Sequence, residues 1–244
     1  MARERAVEAF ILKRQDYGEA DQIITLFSKE EGKLRALVKA ANLPTSKLRP
    51  MLQPLFQTRV TLSGSANSPG LSKVIGVQAV AVYSGILEDN DKLSAWYIAS
   101  ELLIKALPDN APNELLFSEM EQFAQFLHAT NLDVIGIKKS ITQFQIKAMA
   151  ALGLGIRLPD ENALLPSATT LQFSLDRGGF VLADALDGLP VAGAVYKAFQ
   201  NLAQSNYENG QEIPDADAVE LQKLVNRFVA YQLEREIKSQ RNLN

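Results

Sequence analysis

The residues with chemistry to offer are concentrated near the start of the chain, and they are cations. Lys13 and Arg14 end one alternating run, Lys33, Arg35 and Lys39 punctuate another, Lys47 and Arg49 follow in a loop, and Arg59 and Lys73 come later. From Glu31 to Glu88 the sequence passes 56 residues without an Asp or Glu, and seven of those residues are Lys or Arg. Such a run builds a positive field, not the mixed charge of an ordinary solvated surface. The chemistry it can do is non-covalent neutralisation of a polyanion, with phosphate the natural target.

Bond-making chemistry has little to draw on. With no cysteine there is no thiolate metal site, disulfide or thiol nucleophile, and the single histidine, His128, excludes a His-rich metal site. No GxSxG, P-loop, HExxH or deaminase pattern occurs, and Gly153 and Gly155 are not followed by the residues of a phosphate loop. Asp16, Glu19 and Asp21 form the one tight acidic group near the cations. No histidine joins them, and a turn through Gly18, with carboxylates accepting from local amides, accounts for them. The expectation is therefore a binding protein without catalytic residues, metal or cofactor.

The cations must be positioned by strands. Period-two alternation gives strands near 7–14, 22–28 and 33–39, joined by turns at Asp16–Asp21 and Lys29–Gly32. On the third, Leu34, Ala36 and Val38 share one face, while Lys33, Arg35 and Lys39 share the other with Leu37. A loop bounded by Pro44 and Pro50 carries Lys47 and Arg49; two further strands follow, one with Phe56, Thr58, Val60 and Leu62 in alternation and one over Leu71–Val82. Five strands in about eighty residues fit an OB barrel, with an SH3-like barrel as the competing solution. Tyr17, in the first turn, is the aromatic best placed to stack on a base; Phe10, Phe27 and Phe56 are the others nearby.

After Tyr83 the period becomes helical. Leu93, Trp96, Leu103 and Leu107 mark one helix, Leu116, Met120, Phe123 and Leu127 a second, and Ile137, Ile141, Phe144 and Ala148 a third. A short hairpin is expected at 172–175 and 180–183. A last helix is expected over 215–237, with Asp217 and Glu220 as a capping box and Leu221, Val225 and Phe228 on its apolar face. The class is α+β: a five-stranded OB barrel over 1–82, then a mainly α-helical domain over 83–244 with an irregular, cysteine-free hairpin segment at 153–189. Charge divides the same way, since residues 1–80 carry a net +5 and the remainder a net −8. No apolar stretch is long enough to cross a membrane and the N-terminus carries no long apolar leader, so the cytoplasm is the expected compartment.

The run ILKRQDYGEADQIITLFSKEEGKLRALVKAA, followed by SKLRPMLQPLF, resembles the start of the bacterial RecO recombination mediators. The likeness rests on Lys13-Arg14, Tyr17-Gly18-Glu19-Ala20-Asp21, Leu26-Phe27, Gly32-Lys33-Leu34-Arg35 and Leu52-Gln53-Pro54, and continues more weakly through Phe144-Gln145, Leu152-Gly153, Phe173-Ser174 and Gly178-Gly179. It implies an ATP-independent, non-enzymatic protein that binds single- and double-stranded DNA and anneals complementary strands. The partners it implies are RecR, single-stranded DNA-binding protein and, indirectly, RecA. Two departures stand out. The four cysteines that many members use for a zinc finger are absent, so that segment must be held by apolar packing. The Gly-Ala-Arg usual after the third strand reads Ala40-Ala41-Asn42, which removes a cation. The DNA-binding set expected is Lys13, Arg14, Tyr17, Lys33, Arg35, Lys39, Lys47, Arg49 and Arg59. The competing readings are a protein-interaction scaffold with incidental nucleic-acid contact and a barrel-fronted enzyme.

Overall fold

The computed structural model describes residues 4–64, 71–159, 171–182, 188–234, 237 and 239–240. The alternating segments form β1 (Glu4–Tyr17), β2 (Asp21–Ser28), β3 (Gly32–Val38), β4 (Phe56–Ser63) and β5 (Ser72–Val82). They close into a barrel in the order β1-β2-β3-β5-β4, with β4 antiparallel to β1 and a short parallel pairing of β3 with β5 at Ala36 and Leu37. This is the OB architecture, not its SH3-like competitor. Val7, Ala9, Ile11, Ile24, Leu26, Leu34, Ala36, Val38, Val60 and Leu62 fill its interior. The expected turn at 65–70 lies outside the described residues.

β1 serves two neighbours, pairing with β4 through its first half and with β2 through its second. The β1–β2 register slips between Ile11 and Lys13, so Leu12 is an extra residue in a bulge. Phe10 and Leu12 consequently leave the barrel interior and join a second, larger core made mostly of helices.

Those helices are α1 (Ser84–Leu87), α2 (Asn90–Ala106), α3 (Glu114–Ala129), α4 (Val134–Ala151), α5 (Gly193–Gln204), α6 (Tyr207–Gly210) and α7 (Asp215–Gln232). Three long helices start on side-chain caps: Asp89 accepts from the amides of Asp91 and Lys92, Asn113 from Leu116 and Asp133 from Gly136. The last helix differs from expectation. α7 begins after Pro214 without a side-chain cap, so Asp217 and Glu220 make no capping box; Asp217 instead lies in the first turn, where its charge complements the helix dipole. The helix ends at Gln232, not at 237.

The hairpin appears as β6 (Leu171–Ser174) and β7 (Gly179–Leu182), joined by a third strand that the sequence did not announce, β8 (Leu189–Val191), in the order β7-β6-β8. Ala183 and 160–170 lie outside the described residues. Phe173 meets Phe180 and Phe228 edge-on at 5.1 and 5.9 Å, so aromatic packing against α7 anchors this small sheet.

Barrel and helices meet along the outer face of β1 and β2. Phe10 lies 5.2 Å from Phe117 and 5.9 Å from Trp96, and Phe27 lies 5.6 Å from Phe117, all measured between ring centroids inside the larger core. Beside them Gln57, 2% exposed, donates to Glu8 and Glu121 and accepts from the Tyr83 hydroxyl at 2.7 Å. Burial, then the charges of Glu121 and Glu8, push that hydroxyl up to about 12. His128, in the last turn of α3, accepts the Gly85 amide through Nδ1 at 2.9 Å.

The segment between α2 and α3 runs against the free edge of β3. Lys33 forms a parallel bridge with Asp109, and Lys33 O accepts the Asn110 amide at 2.8 Å. Gly32 permits this approach, because its φ is +72° and a Cβ there would stand 2.1 Å from the Ala111 carbonyl oxygen. Gly18 also has positive φ but open space around it. Gly32→Ala should therefore lose both a conformational term of about 1–2 kcal/mol and a packing term of about 1–3 kcal/mol. Gly18→Ala should lose only the first, about 1–2 kcal/mol. Urea denaturation of the two variants measures the difference.

Candidate nucleic-acid interface

The outer face of β1, β2 and β3 is divided by what covers it. At one end Phe10, Phe27 and Lys33 are register partners in sequence across the three strands, and the helices cover them. One row further along, Lys13 pairs with Thr25 and Thr25 with Arg35. The inward neighbours Ile24, Leu26, Leu34 and Ala36 fill the barrel, so alternation turns Lys13, Thr25 and Arg35 outward, with the two cations about 10 Å apart, two strand spacings. The next row is Gln15, Ile23, Leu37 and, across the parallel pairing, Lys73. Tyr17 and Lys39 stand at the far end, both exposed.

The nine expected residues therefore do not form one patch. Lys13, Arg35, Lys39 and Tyr17 share the open end of the β1–β3 face. Lys47 and Arg49 are exposed on the loop that follows Lys39. Arg14, next to Lys13, lines with it and with Arg49 a groove of about 740 Å³ between the barrel and α2. Arg59 stands on β4, beside its register partner Glu8, with its guanidinium 3.9 Å from that carboxylate. Among the described residues Lys13, Arg35, Lys39, Lys47, Arg49 and Lys73 make no ion pair.

Lys33 is the correction. Its side chain is only 15% exposed, its Nζ donates to the Ile104 carbonyl at 2.9 Å, and it pairs with Asp109 at 3.2 Å. Alternation places it on the same face as Arg35, but that face passes beneath the helices at Lys33, which makes it a tie between barrel and helical part. Phe10 and Phe27 are removed from the stacking candidates for the same reason, whereas Tyr17 is 55% exposed.

The acidic turn does what turn chemistry requires. Asp21 accepts the Ala40 amide at 2.8 Å, and Asp16 accepts from Gln22 at 3.1 Å and Asn42 at 3.0 Å. Those two amide contacts, and then the charges of Arg14 and Arg49, hold the Asp16 carboxyl below its ordinary value. Among the described residues no group of His, Asp and Glu could hold a metal ion. Asn42 thus clamps the turn to the loop after β3 instead of adding a cation. Sequence reasoning missed this role, and it missed Tyr97 and Ser100 on α2, which line the groove; both read as members of a helix and nothing in their spacing pointed at the barrel.

Together these features define a class: an OB barrel docked through one wall onto helices, with a cationic face left open. Comparison with known proteins makes the assignment particular. Residues 1–83 match the family described as Recombination protein O N terminal, and residues 87–241 match Recombination protein O C terminal. The chain belongs to the recombination protein O family of DNA repair proteins. It is 28% identical to the DNA repair protein RecO of Polaromonas naphthalenivorans over 79% of this chain and 75% of that one. The corresponding protein of Salinibacter ruber is 26% identical over 93% of this chain and 87% of that one. The Geobacter metallireducens protein is 33% identical, over 55% and 59%. No helix among the described residues is long and apolar enough to cross a membrane.

The opposite roles of two neighbouring cations give a direct check. Lys33→Met should lower stability by about 1.5–3 kcal/mol, the range for a hydrogen bond to a charged group. Arg35→Gln, on the open face, should change it by less than about 0.5 kcal/mol. Urea unfolding followed by tryptophan fluorescence reports both.

Proposed function

We propose that the chain is a non-enzymatic DNA-binding mediator of recombinational repair, which holds single- and double-stranded DNA on the open face of the barrel and anneals complementary strands without nucleotide hydrolysis. The observation that carries this reading is the row Lys13–Thr25–Arg35, extended by Lys39 and Lys73, whose cations make no ion pair among the described residues. Unpaired cations at strand spacing can each replace a counterion on a phosphate backbone. Tyr17, at the end of β1 where the turn to β2 begins, supplies an aromatic face for a base. By lowering the charge of both strands at once, such a surface reduces their repulsion and leaves the base edges free to pair.

The family resemblance extends the proposal to partners. RecR and single-stranded DNA-binding protein are the proteins expected to dock on this chain, so that RecA is loaded at gaps, and the cytoplasm is where they would meet. The scaffold reading, in which nucleic-acid contact is incidental, has no observation of its own in its favour.

If Lys13, Arg35, Lys39, Lys47 and Arg49 each neutralise one phosphate, log affinity for single-stranded DNA should fall against log salt with a slope of about −3 to −4, at roughly −0.7 per contact. Arg35→Gln should make that slope shallower by about 0.7. Fluorescence anisotropy with a labelled oligonucleotide at several salt concentrations measures both. A slope near zero, or annealing that starts only when a nucleoside triphosphate is added, would overturn the proposal.

A further inference from the structure

The groove between the barrel and α2 adjoins the open face and shares Lys13 and Arg49 with it, but it is walled by a helix on one side. Its barrel side carries Lys13, Arg14 and Arg49, and its helix side carries Tyr97 and Ser100, one helical turn apart and therefore on the same face of α2. Two polar groups bordering it lack hydrogen-bond partners among the described residues. One guanidinium nitrogen of Arg14 is buried without a hydrogen-bond acceptor, and so is the hydroxyl of Ser100, a residue only 2% exposed. A buried donor without an acceptor costs stability unless a ligand supplies one.

The two carboxylates of the groove do not satisfy these groups. Asp16 is held by Gln22 and Asn42, and Glu101 is engaged by Lys105 at 2.6 Å and by the amide and hydroxyl of Ser239. The remaining charge is three cations against Asp16. The volume, about 740 Å³, admits a nucleotide but is bounded by α2 on one side. A groove lined by two guanidinium groups suits a compact, doubly charged oxyanion better than a phosphodiester track that must pass through.

We infer that this groove binds the terminal phosphate of a DNA strand, with the phosphomonoester held by Arg14, Arg49 and Lys13, Ser100 donating to one of its oxygens, and the end nucleotide resting against Tyr97, which is 42% exposed. The inference rests on the DNA-binding reading above and adds to it a site that recognises where a strand stops. Nothing is cleaved or transferred; the end is only held.

The test is equilibrium binding of the full chain to a six-nucleotide oligomer carrying a 5′-phosphate, a 3′-phosphate or hydroxyls at both ends. One phosphorylated form should bind about tenfold more tightly than the hydroxyl form, as expected for one additional charge-assisted set of contacts. Inorganic phosphate should compete that advantage away without displacing the hydroxyl oligomer. The ratio of the two affinities should fall towards one in Arg49→Gln and Arg14→Gln, whatever the change in absolute affinity. It should fall by about threefold in Ser100→Ala, which removes only the hydroxyl and keeps the core intact, with thermal melts confirming that each variant is folded. Equal binding of phosphorylated and hydroxyl oligomers would overturn the end site and leave DNA binding standing. Failure of every oligomer to bind would overturn the reading on which it rests.

Discussion

The contact on which the rest depends is the docking of the β1–β2 wall onto the helices, through Phe10 and Phe27 against Phe117 and Trp96. An OB barrel has a continuous outer surface, and nothing in strand alternation says which part of it stays in water. The bulge at Leu12 gives the covered part a second apolar anchor, and Lys33 fixes its edge by reaching Ile104 and Asp109. What lies beyond that edge is then free, and it is cationic. The positive face is thus a remainder, defined by where the helices end.

This arrangement also explains how an acidic helical part can accompany a basic barrel without neutralising it. Asp109 takes Lys33, while Glu121 is turned to Gln57 and Glu119 to the Tyr207 hydroxyl and Lys147. Glu101 is engaged by Lys105 and Ser239. These four carboxylates are occupied locally and make no ion pair with Lys13, Arg35, Lys39 or Lys73 among the described residues. At physiological ionic strength, screening over about 8 Å further separates charges that are not in contact.

Much of this was legible in the residues. The five strands follow from alternation because barrel strands have one wet and one dry face, and Gly32, the family's short motif and the helical stripes fixed the order of elements. What could not be read was partnership across the fold. Lys33 and Arg35 are indistinguishable by spacing, yet one is half-buried beneath the segment after α2 and the other is exposed. Phe27 stood behind Tyr17 among the stacking candidates, and only the placement of Phe117 against it shows where it goes. β8 was missed since Leu189–Val191 is a three-residue strand containing a proline, too short to show a period. The failed capping box at Asp217 reflects a helix that starts two residues earlier than its cap signal, at Asp215 behind Pro214.

The central claim is that polyanion contact is confined to the part of the barrel that the helices leave uncovered. Amide hydrogen exchange of the full chain, with and without saturating single-stranded DNA at low salt, tests it most directly. Protection should appear in 13–17, 33–51 and at most the adjoining turn of α2, while α3, α4, α7 and the β4 wall around Arg59 exchange unchanged. Protection centred on the helices or on β4, with the β1–β3 end unaffected, would contradict the account.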